Sequence, residues 1–313
     1  MARHGTLSGG GRWAVVLAGG EGERLRPVIR QWLGCERPKQ YCSFSGGGRT
    51  MLDHTLERAR AVAAPGRVLT VIGPGHRRWL PLSLDAGRIL EQPAGRDTGP
   101  GILLPAAHAL REDPEATLLV FHSDHYIHPA SRFRAAIEEA AAAAEARPDR
   151  LVLMGADPDE AETEYGWIEP DWSDAGSGGA MPVAAFREKP SREAAEELFE
   201  SGCMWNTFIM AVKARTLWEL ARAAAPDVVA VFDALLPCLG GRGEDAALKA
   251  AYARLPPCNF SREVLEKVPR RVLVQPLTGV EWSDWGRPAR IAETLARRGL
   301  PTPFALGAAA AAC

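Results

Sequence analysis

Short apolar runs, separated by longer amphipathic stretches, set the rhythm of this chain. Trp13–Leu17, Val68–Ile72, Thr117–Phe121, Leu151–Gly155, Val183–Phe186 and Val272–Gln275 read as buried strands. Met51–Val62 places Leu52, Leu56, Ala59 and Val62 on one helical face, and Thr50 followed by Asp53 makes a capping-box-like start. Ser131–Ala146 is an alanine-rich helix that turns Phe133 and Ile137 inward and stops before Pro148. Ser191–Glu200 follows Pro190, with Ser191 as N-cap. Strands alternating with helices predict an α/β fold, a Rossmann-like mixed but mostly parallel sheet flanked by helices, with right-handed crossovers. In such sheets ligands sit beyond the carboxyl ends of the strands. By composition, Asp174–Gly179 is a loop, Met1–Arg12 a flexible leader and Gly307–Cys313 a frayed tail.

The bulk numbers narrow the function classes. A chain of 313 residues can bury a large core. Lys and Arg total 37 against 39 Asp and Glu, a net charge of -2, so wholesale binding to nucleic acid or an acidic membrane is not expected. Any anion site must be local. The six cysteines form no Cys-x-x-Cys pair, which argues against a zinc site. No apolar run reaches bilayer length, and Met1–Gly11 lacks the apolar core of a signal peptide. A reduced, cytoplasmic enzyme is the expectation.

The first strand breaks into glycines and then basic residues: Leu17-Ala-Gly-Gly-Glu-Gly-Glu-Arg-Leu-Arg-Pro27. Glycine lets backbone approach a ligand or reach φ > 0, and successive N–H groups can form an anion-binding concavity. A Walker A loop is excluded because no Lys-Ser/Thr follows. The dinucleotide fingerprint is excluded because Leu25 holds its third glycine position.

Other candidate segments also follow strands. Asp124, in Phe121-His-Ser-Asp-His-Tyr-Ile127, stands where a strand-end carboxylate can hold Mg²⁺. His122, His125 and His128 are spaced as zinc ligands can be, but no further Cys or His cluster completes a site. His125 reads better as an orienting neighbour. Lys39, in Arg37-Pro-Lys-Gln-Tyr41, reads alone as a solvated lysine; beside a proline and near a phosphate loop it can be a fixed charge on a phosphoryl group.

Taken together, these segments resemble the sugar nucleotidyltransferases, most closely the mannose-1-phosphate guanylyltransferase type, over roughly Trp13–Gly286 and in the family's order. The glycine stretch is similar to L-A-G-G-x-G-x-R-L-x-P, and Pro38–Tyr41 to P-K-Q-[FY]. Glu91-Gln-Pro-Ala-Gly-Arg-Asp-Thr-Gly-Pro100 resembles E-P-x-G-R-N-T-A-P near the nucleotide base, with Gln92 inserted or substituted, Asp97 for Asn and Gly99 for Ala. Ser123–His125 resembles S-D-H, Glu164–Ile168 the Y-G-Y-I segment, and Phe186–Pro190 F-x-E-K-P. Trp205–Met210 resembles W-N-S-G-x-F, with Phe208 where glycine is usual, so the backbone there is expected to turn less freely. Val280–Gly286 resembles W-S-D-V-G, whose aspartate is the family's second metal ligand.

The resemblance implies a nucleotide-diphospho-sugar transferase fold over residues 13–300, between a 1–12 leader and a 301–313 tail. It implies nucleotide binding by Leu17, Ala18, Gly19, Gly20, Gly22, Arg24, Lys39, Arg96, Thr98 and Ser123, with Arg24, Lys39 and Asp124 catalytic. Gly166, Glu188, Lys189 and Asn206 fall at the sugar phosphate, and Asp124 and Asp284 at Mg²⁺, Mn²⁺ being the alternative ion. The implied partners are a nucleoside triphosphate, GTP favoured, and a sugar 1-phosphate; a homodimer is compatible. The implied reaction is GTP plus mannose 1-phosphate to GDP-mannose and pyrophosphate. The same transfer with another sugar or with ATP, CTP or UTP stays open, as does a non-catalytic nucleotide-sugar sensor. Asp124 and Asp284 lie too far apart in sequence to meet by local structure, so their pairing is a claim about the fold.

Overall fold

The computed structural model describes residues 10–81, 84–174 and 179–305. The stretches expected to be leader and tail fall largely at 1–9 and 306–313, and most of the Asp174–Gly179 loop at 175–178, outside the described residues. The strands are β1 (Arg12–Ala18), β2 (Val68–Ile72), β3 (Arg88–Glu91), β4 (Thr117–His122), β5 (Tyr126–His128), β6 (Leu151–Ala156), β7 (Gly166–Pro170), β8 (Met181–Glu188), β9 (Met204–Lys213), β10 (Val272–Pro276) and β11 (Glu281–Ser283). The helices are α1 (Arg26–Leu33), α2 (Met51–Arg60), α3 (Thr98–Glu112), α4 (Ala130–Ala146), α5 (Arg192–Glu200), α6 (Ala214–Ala224), α7 (Pro226–Leu235), α8 (Glu244–Arg254), α9 (Phe260–Glu263) and α10 (Pro288–Arg297).

Nine strands form one sheet in the order β3-β2-β1-β4-β9-β6-β10-β8-β7. β1, β2, β3 and β4 pair in parallel, as do β6 and β10; β9 opposes both β4 and β6, and β8 opposes β10 and β7. All the strands of this sheet except β8 and β9 therefore share one direction. The sheet is mixed and mostly co-directional, as the alternation of runs predicts.

The valine- and leucine-rich strands are buried on both faces, as a sheet covered by helices requires. One core packs α3, α6, α7 and α8 on the first face through Leu103, Leu217, Phe232 and Tyr252. The second packs α2, α4 and α5 through Leu56, Phe133, Ile137 and Leu198. A third, smaller cluster joins α1, α10 and Phe44, and Phe304 closes it. Phe304 thus packs against the body, while Pro301 and Ala305 are exposed.

Local signals account for the helix starts. At Thr50 the hydroxyl accepts from Asp53 N–H at 3.1 Å, and the Asp53 carboxylate accepts from Thr50 N–H at 2.7 Å, a complete capping box. Ser191 caps α5 by accepting from Ala194 N–H. The longest strand, β9, is missing from the reading of apolar runs because Asn206 and Thr207 interrupt it, although both are buried.

A separate two-stranded ribbon has the largest consequence for function. β5 and β11 pair antiparallel, with Ser283 opposite Tyr126 and Trp282 opposite Ile127. Continuing that register sets Asp284 opposite His125, one residue from Asp124. Distant segments meet because a strand pair zips them together.

Replacing Thr50 by Ala is expected to cost about 1 kcal/mol, read as a lower urea midpoint with an unchanged slope.

Candidate active site

The glycine loop leaves β1 beside the carboxyl end of β4, where Leu17 pairs with His122. Its carbonyls are braced from below. Gln40 Nε2 donates to Ala18 O at 2.9 Å and to Gly20 O at 2.8 Å, and the Tyr41 hydroxyl donates to Ala18 O at 3.2 Å. With those carbonyls turned inward, the loop presents its other edge to a cleft. Gly22 is left-handed, φ 62°, and a Cβ on it would lie 3.2 Å from Lys39 N, so it serves both the turn and the close approach. Gly20 has no atom within 4 Å of such a Cβ and opens onto free space.

Lys39 is not a surface lysine; it is 5% exposed. Its ammonium lies 3.1 Å from Asp124 Oδ2 and donates to the carbonyl of Asp284 at 2.5 Å and to that of Trp285 at 3.3 Å. The Asp124 carboxylate and the Asp284 backbone carbonyl therefore meet at one ammonium, and both residues line a cleft of about 370 Å³ with Gly22, Arg24, Lys39 and Gly286. Burial opposes ionisation of Asp124, but Lys39 and His122 outweigh it and hold the carboxyl well below the usual range.

The two acids are prepared differently. Asp284 Oδ1 accepts from the Tyr165 hydroxyl at 2.6 Å, from Gly286 N–H at 2.8 Å and from Arg290 Nη1 at 3.2 Å. Among the described residues Oδ2 has no donor, so one oxygen is anchored and the other is available. Two such carboxylates fit a hard divalent ion like Mg²⁺ or Mn²⁺.

His122, Asp124 and His125 also lie close enough together to hold an ion. Tautomer chemistry argues against His125 as a ligand. Trp282 Nε1–H, a pure donor, points at His125 Nδ1 at 3.3 Å, so that nitrogen accepts. Burial, then His122, keeps the ring neutral, so its proton sits on Nε2, facing Asp124 Oδ1 at 3.8 Å. His125 stands beside the carboxylate, beyond hydrogen-bond distance. His128 lies in β5 and lines a different cleft.

A second cleft, of about 310 Å³, shares His122 and Asp124 with the first and continues along Leu17, Gly19, Gly20, Arg96, Thr98 and Ser123. Of the residues the resemblance sets around the nucleotide, Ala18 lines neither cleft, its carbonyl being turned into the protein. The Ser123 hydroxyl is committed to Leu17 O at 2.7 Å, and Thr98 Oγ1 accepts from Phe260 N–H at 2.9 Å. Arg24 lines the first cleft but is ion-paired with Glu164 at 2.5 Å.

Gly166, Glu188 and Asn206 converge where β7, β8 and β9 adjoin. Gly166 pairs with Glu188, and a Cβ on Gly166 would lie 2.9 Å from Glu188 Oε2 and 3.3 Å from Asn206 Cβ. Lys189 follows with a left-handed backbone, φ 51°, its N–H on Tyr165 O. The restricted turn expected at Phe208 is corrected here. Phe208 itself adopts φ 58°, held by its N–H on Asn206 Oδ1 at 2.9 Å and by its ring against His122. The left-handed conformation survives the loss of glycine at a cost of about 1–2 kcal/mol.

Residues 13–294 match the family model described as Nucleotidyl transferase. The chain belongs to the nucleotidyl transferase family. It is 34% identical over 283 residues to the xanthan biosynthesis protein XanB of Xanthomonas campestris pv. campestris (strain B100), covering 87% of this chain and 57% of that protein. It is 33% identical over 288 residues to a mannose-1-phosphate guanylyltransferase of Escherichia coli (strain K12), covering 88% and 58%. The chain thus spans little more than half the length of these curated relatives. A crystal structure described as mannose-1-phosphate geranyltransferase from Thermus thermophilus superposes with a TM-score of 0.77 at 33% identity, over 90% of this chain and 78% of that one. A UDP-glucose pyrophosphorylase, 13% identical with a TM-score of 0.58 over 92% and 98%, shares the fold. Among the described residues no helix is long and apolar enough to cross a membrane.

Sequence reasoning missed several supports of the nucleotidyl transferase site. Buried His76 lies 3.0 Å from Glu21 of the glycine loop and 3.3 Å from the Tyr41 hydroxyl. Arg290 bridges Asp284, Tyr165 and buried Glu162. Gly73-Pro-Gly-His76 and the Pro288 helix start were the available signals.

Burial, against Lys189 and a Ser261 hydrogen bond, raises the Glu188 carboxyl above its ordinary value. A raised carboxyl favours the fold at low pH, and that contribution is lost as pH rises through the folded-state value. Glu188→Gln should therefore melt higher than wild type near about pH 8, with the advantage gone near about pH 4; thermal melts at both pH values check this.

Proposed function

We propose that the chain transfers a nucleotidyl group from a nucleoside triphosphate, GTP favoured, to a sugar 1-phosphate, mannose 1-phosphate favoured, releasing pyrophosphate. The observation that carries this reading is that Asp124 and Asp284 line one cleft with Gly22 and Lys39, the buried ammonium holding the carboxylate of the first and the backbone carbonyl of the second. The names of the matched relatives support the guanylyl and mannosyl preference.

In this mechanism a phosphate oxygen of the sugar phosphate attacks the α-phosphorus. The bond from that phosphorus to the bridging oxygen of the β-phosphate breaks, and pyrophosphate leaves with the electron pair. The attacking phosphate is already ionised, so no general base is required. Catalysis is then positioning plus charge stabilisation. Backbone amides around Gly19 and Gly20 would receive the triphosphate, and Arg24 and Lys39 would offset its charge. Lys189 would align the attacking phosphate, while Glu188 and Asn206 would hold sugar hydroxyls. A divalent ion held by Asp124 and Asp284 would neutralise phosphate charge at the reacting phosphorus. Two prepared carboxylates favour an enzyme over a sensor, which needs neither.

Asp124→Asn should lower pyrophosphate release from GTP and mannose 1-phosphate by about 10²-fold or more while the protein stays folded; near-wild-type release removes the aspartate from the machinery. Lys189→Ala should mainly raise the KM for the sugar phosphate, with a smaller change in kcat. Steady-state kinetics varying each substrate in turn separate the two effects.

A further inference from the structure

The two clefts of the site meet at His122 and Asp124, which line both. We propose that His122 is a further ligand of the divalent ion, offering Nδ1 beside the Asp124 carboxylate. The site then takes a first-row transition ion, of the Mn²⁺ or Co²⁺ kind, in preference to Mg²⁺. This deepens the nucleotidyl-transfer reading and rests on it.

The His122 imidazole is fixed in place but unengaged. It ends β4, and its backbone carbonyl accepts from Thr55 Oγ1 at 3.3 Å. The ring stacks flat on His125, centroids 4.4 Å apart and planes 5° from parallel. It also meets the Phe208 ring at 5.0 Å and 76°, a contact Phe208 makes from a left-handed backbone. Two rings thus hold it, yet among the described residues neither nitrogen has a hydrogen-bond partner. Nε2 is buried without one. Nδ1 lies 3.6 Å from Asp124 Oδ1, too far for a hydrogen bond. A partly buried imidazole with both nitrogens idle is unfavourable unless something engages it.

That 3.6 Å separation suits a shared ion. Two ligand atoms each about 2.1 Å from one ion lie about 3–4 Å apart at ordinary coordination angles. His122, Asp124 and His125 can each bring a ligand atom within 4.8 Å of the other two. His125 drops out, because Trp282 occupies its Nδ1 and its proton sits on Nε2. His122 is the nitrogen that remains. The carboxylate beside it is prepared to match. Lys39 takes Asp124 Oδ2, and Oδ1, on the imidazole side, has no donor within hydrogen-bond distance among the described residues. Asp284, anchored through Oδ1, lines the same cleft.

A nitrogen ligand changes which ion is preferred. Mg²⁺ takes oxygen ligands and dehydrates reluctantly, whereas imidazole suits divalent ions of the first transition row. Among those ions affinity rises from Mn²⁺ to Co²⁺. Carboxylates alone leave Mg²⁺ a competent occupant; an imidazole beside a carboxylate moves the preference to the transition ions.

The test uses Mn²⁺ as the probe, bound to the full chain without nucleotide and read by electron paramagnetic resonance. Pulsed spectra should show coupling of the bound Mn²⁺ to a directly bonded nitrogen nucleus. Co²⁺ should displace the Mn²⁺ at a concentration about tenfold or more below that needed of Mg²⁺. His122→Asn sets an amide oxygen near the Nδ1 position. It should abolish the nitrogen coupling and narrow the gap between Co²⁺ and Mg²⁺ about tenfold. His125→Asn should keep both. Melting curves establish that each variant is folded; if His122→Asn is not, the wild-type spectrum and His125→Asn decide. Asp124→Asn should abolish Mn²⁺ binding. When it does, the imidazole assignment alone is overturned by any of three results: no nitrogen coupling in wild type, coupling that survives His122→Asn, or coupling lost in folded His125→Asn. Mn²⁺ binding left unchanged by Asp124→Asn, or no saturable binding by wild type, overturns the ion site of the transfer reading and this assignment with it.

Discussion

The site depends on one ammonium group placed where lysine is seldom found. Burying the Lys39 charge is costly unless acceptors surround it. It has three, Asp124 Oδ2 and the carbonyls of Asp284 and Trp285, and these come from both halves of the chain. The Gln40 and Tyr41 side chains of the same short turn hold the glycine-loop carbonyls. Lys39 thus ties the phosphate loop, the first acid and the second acid to a single point. Removing one partner of such a pair leaves an uncompensated buried charge, at a cost of about 3–5 kcal/mol. The same charge holds the Asp124 carboxyl well below its usual range, against its burial.

Backbone strain is concentrated in the same region. The non-glycine residues with left-handed backbones are, among the described residues, Asp97, Lys189, Phe208 and Trp285. Each belongs to one of the segments singled out for chemistry, and each is pinned. Asp97 accepts from Thr98 N–H at the start of α3, Lys189 N–H meets Tyr165 O, Phe208 is held by Asn206, and Trp285 N–H meets Ser283 Oγ while its ring stacks on Tyr126. Left-handed geometry costs about 1–2 kcal/mol per residue. Strain of this size persists only where the surroundings over-determine it. Its confinement to four site segments ties the cost to positioning rather than to folding.

How far the chain could be read follows from the range of each interaction. The strands of the parallel half were legible because burial on both faces leaves continuous apolar runs. β9 was not, since Asn206 and Thr207 are polar yet buried, the first accepting from the nearby Phe208 N–H and the second donating to the distant Met154 carbonyl. The capping box at Thr50 was legible because it closes within four residues. The glycine loop, Asp124 and Asp284 were legible as segments in order, whereas their meeting depends on the β5–β11 pairing, in which Ser283 lies opposite Tyr126 from the other half of the chain. The link from Glu21 to His76 was hidden for the same reason. The link from Asp284 to Arg290 is short-range, but nothing in the spacing says that α10 turns that guanidinium back onto the acid.

The reversed strand β9 gives one sheet room for the two substrates proposed above. β1 and β4 run in parallel and deliver the glycine loop and Asp124 from their carboxyl ends. β9 runs back between β4 and β6, so its amino end, carrying Trp205 and Asn206, lies at the carboxyl end of β6. The same edge of the sheet therefore receives loops from strands of both directions. The glycine loop stands on one side of the seam and Asn206 on the other, with Asp124 on the β4 side. The β5–β11 ribbon closes over that seam and adds the second acid. An all-parallel arrangement would supply loops from strand carboxyl ends alone; reversing one central strand adds an amino end to the same edge.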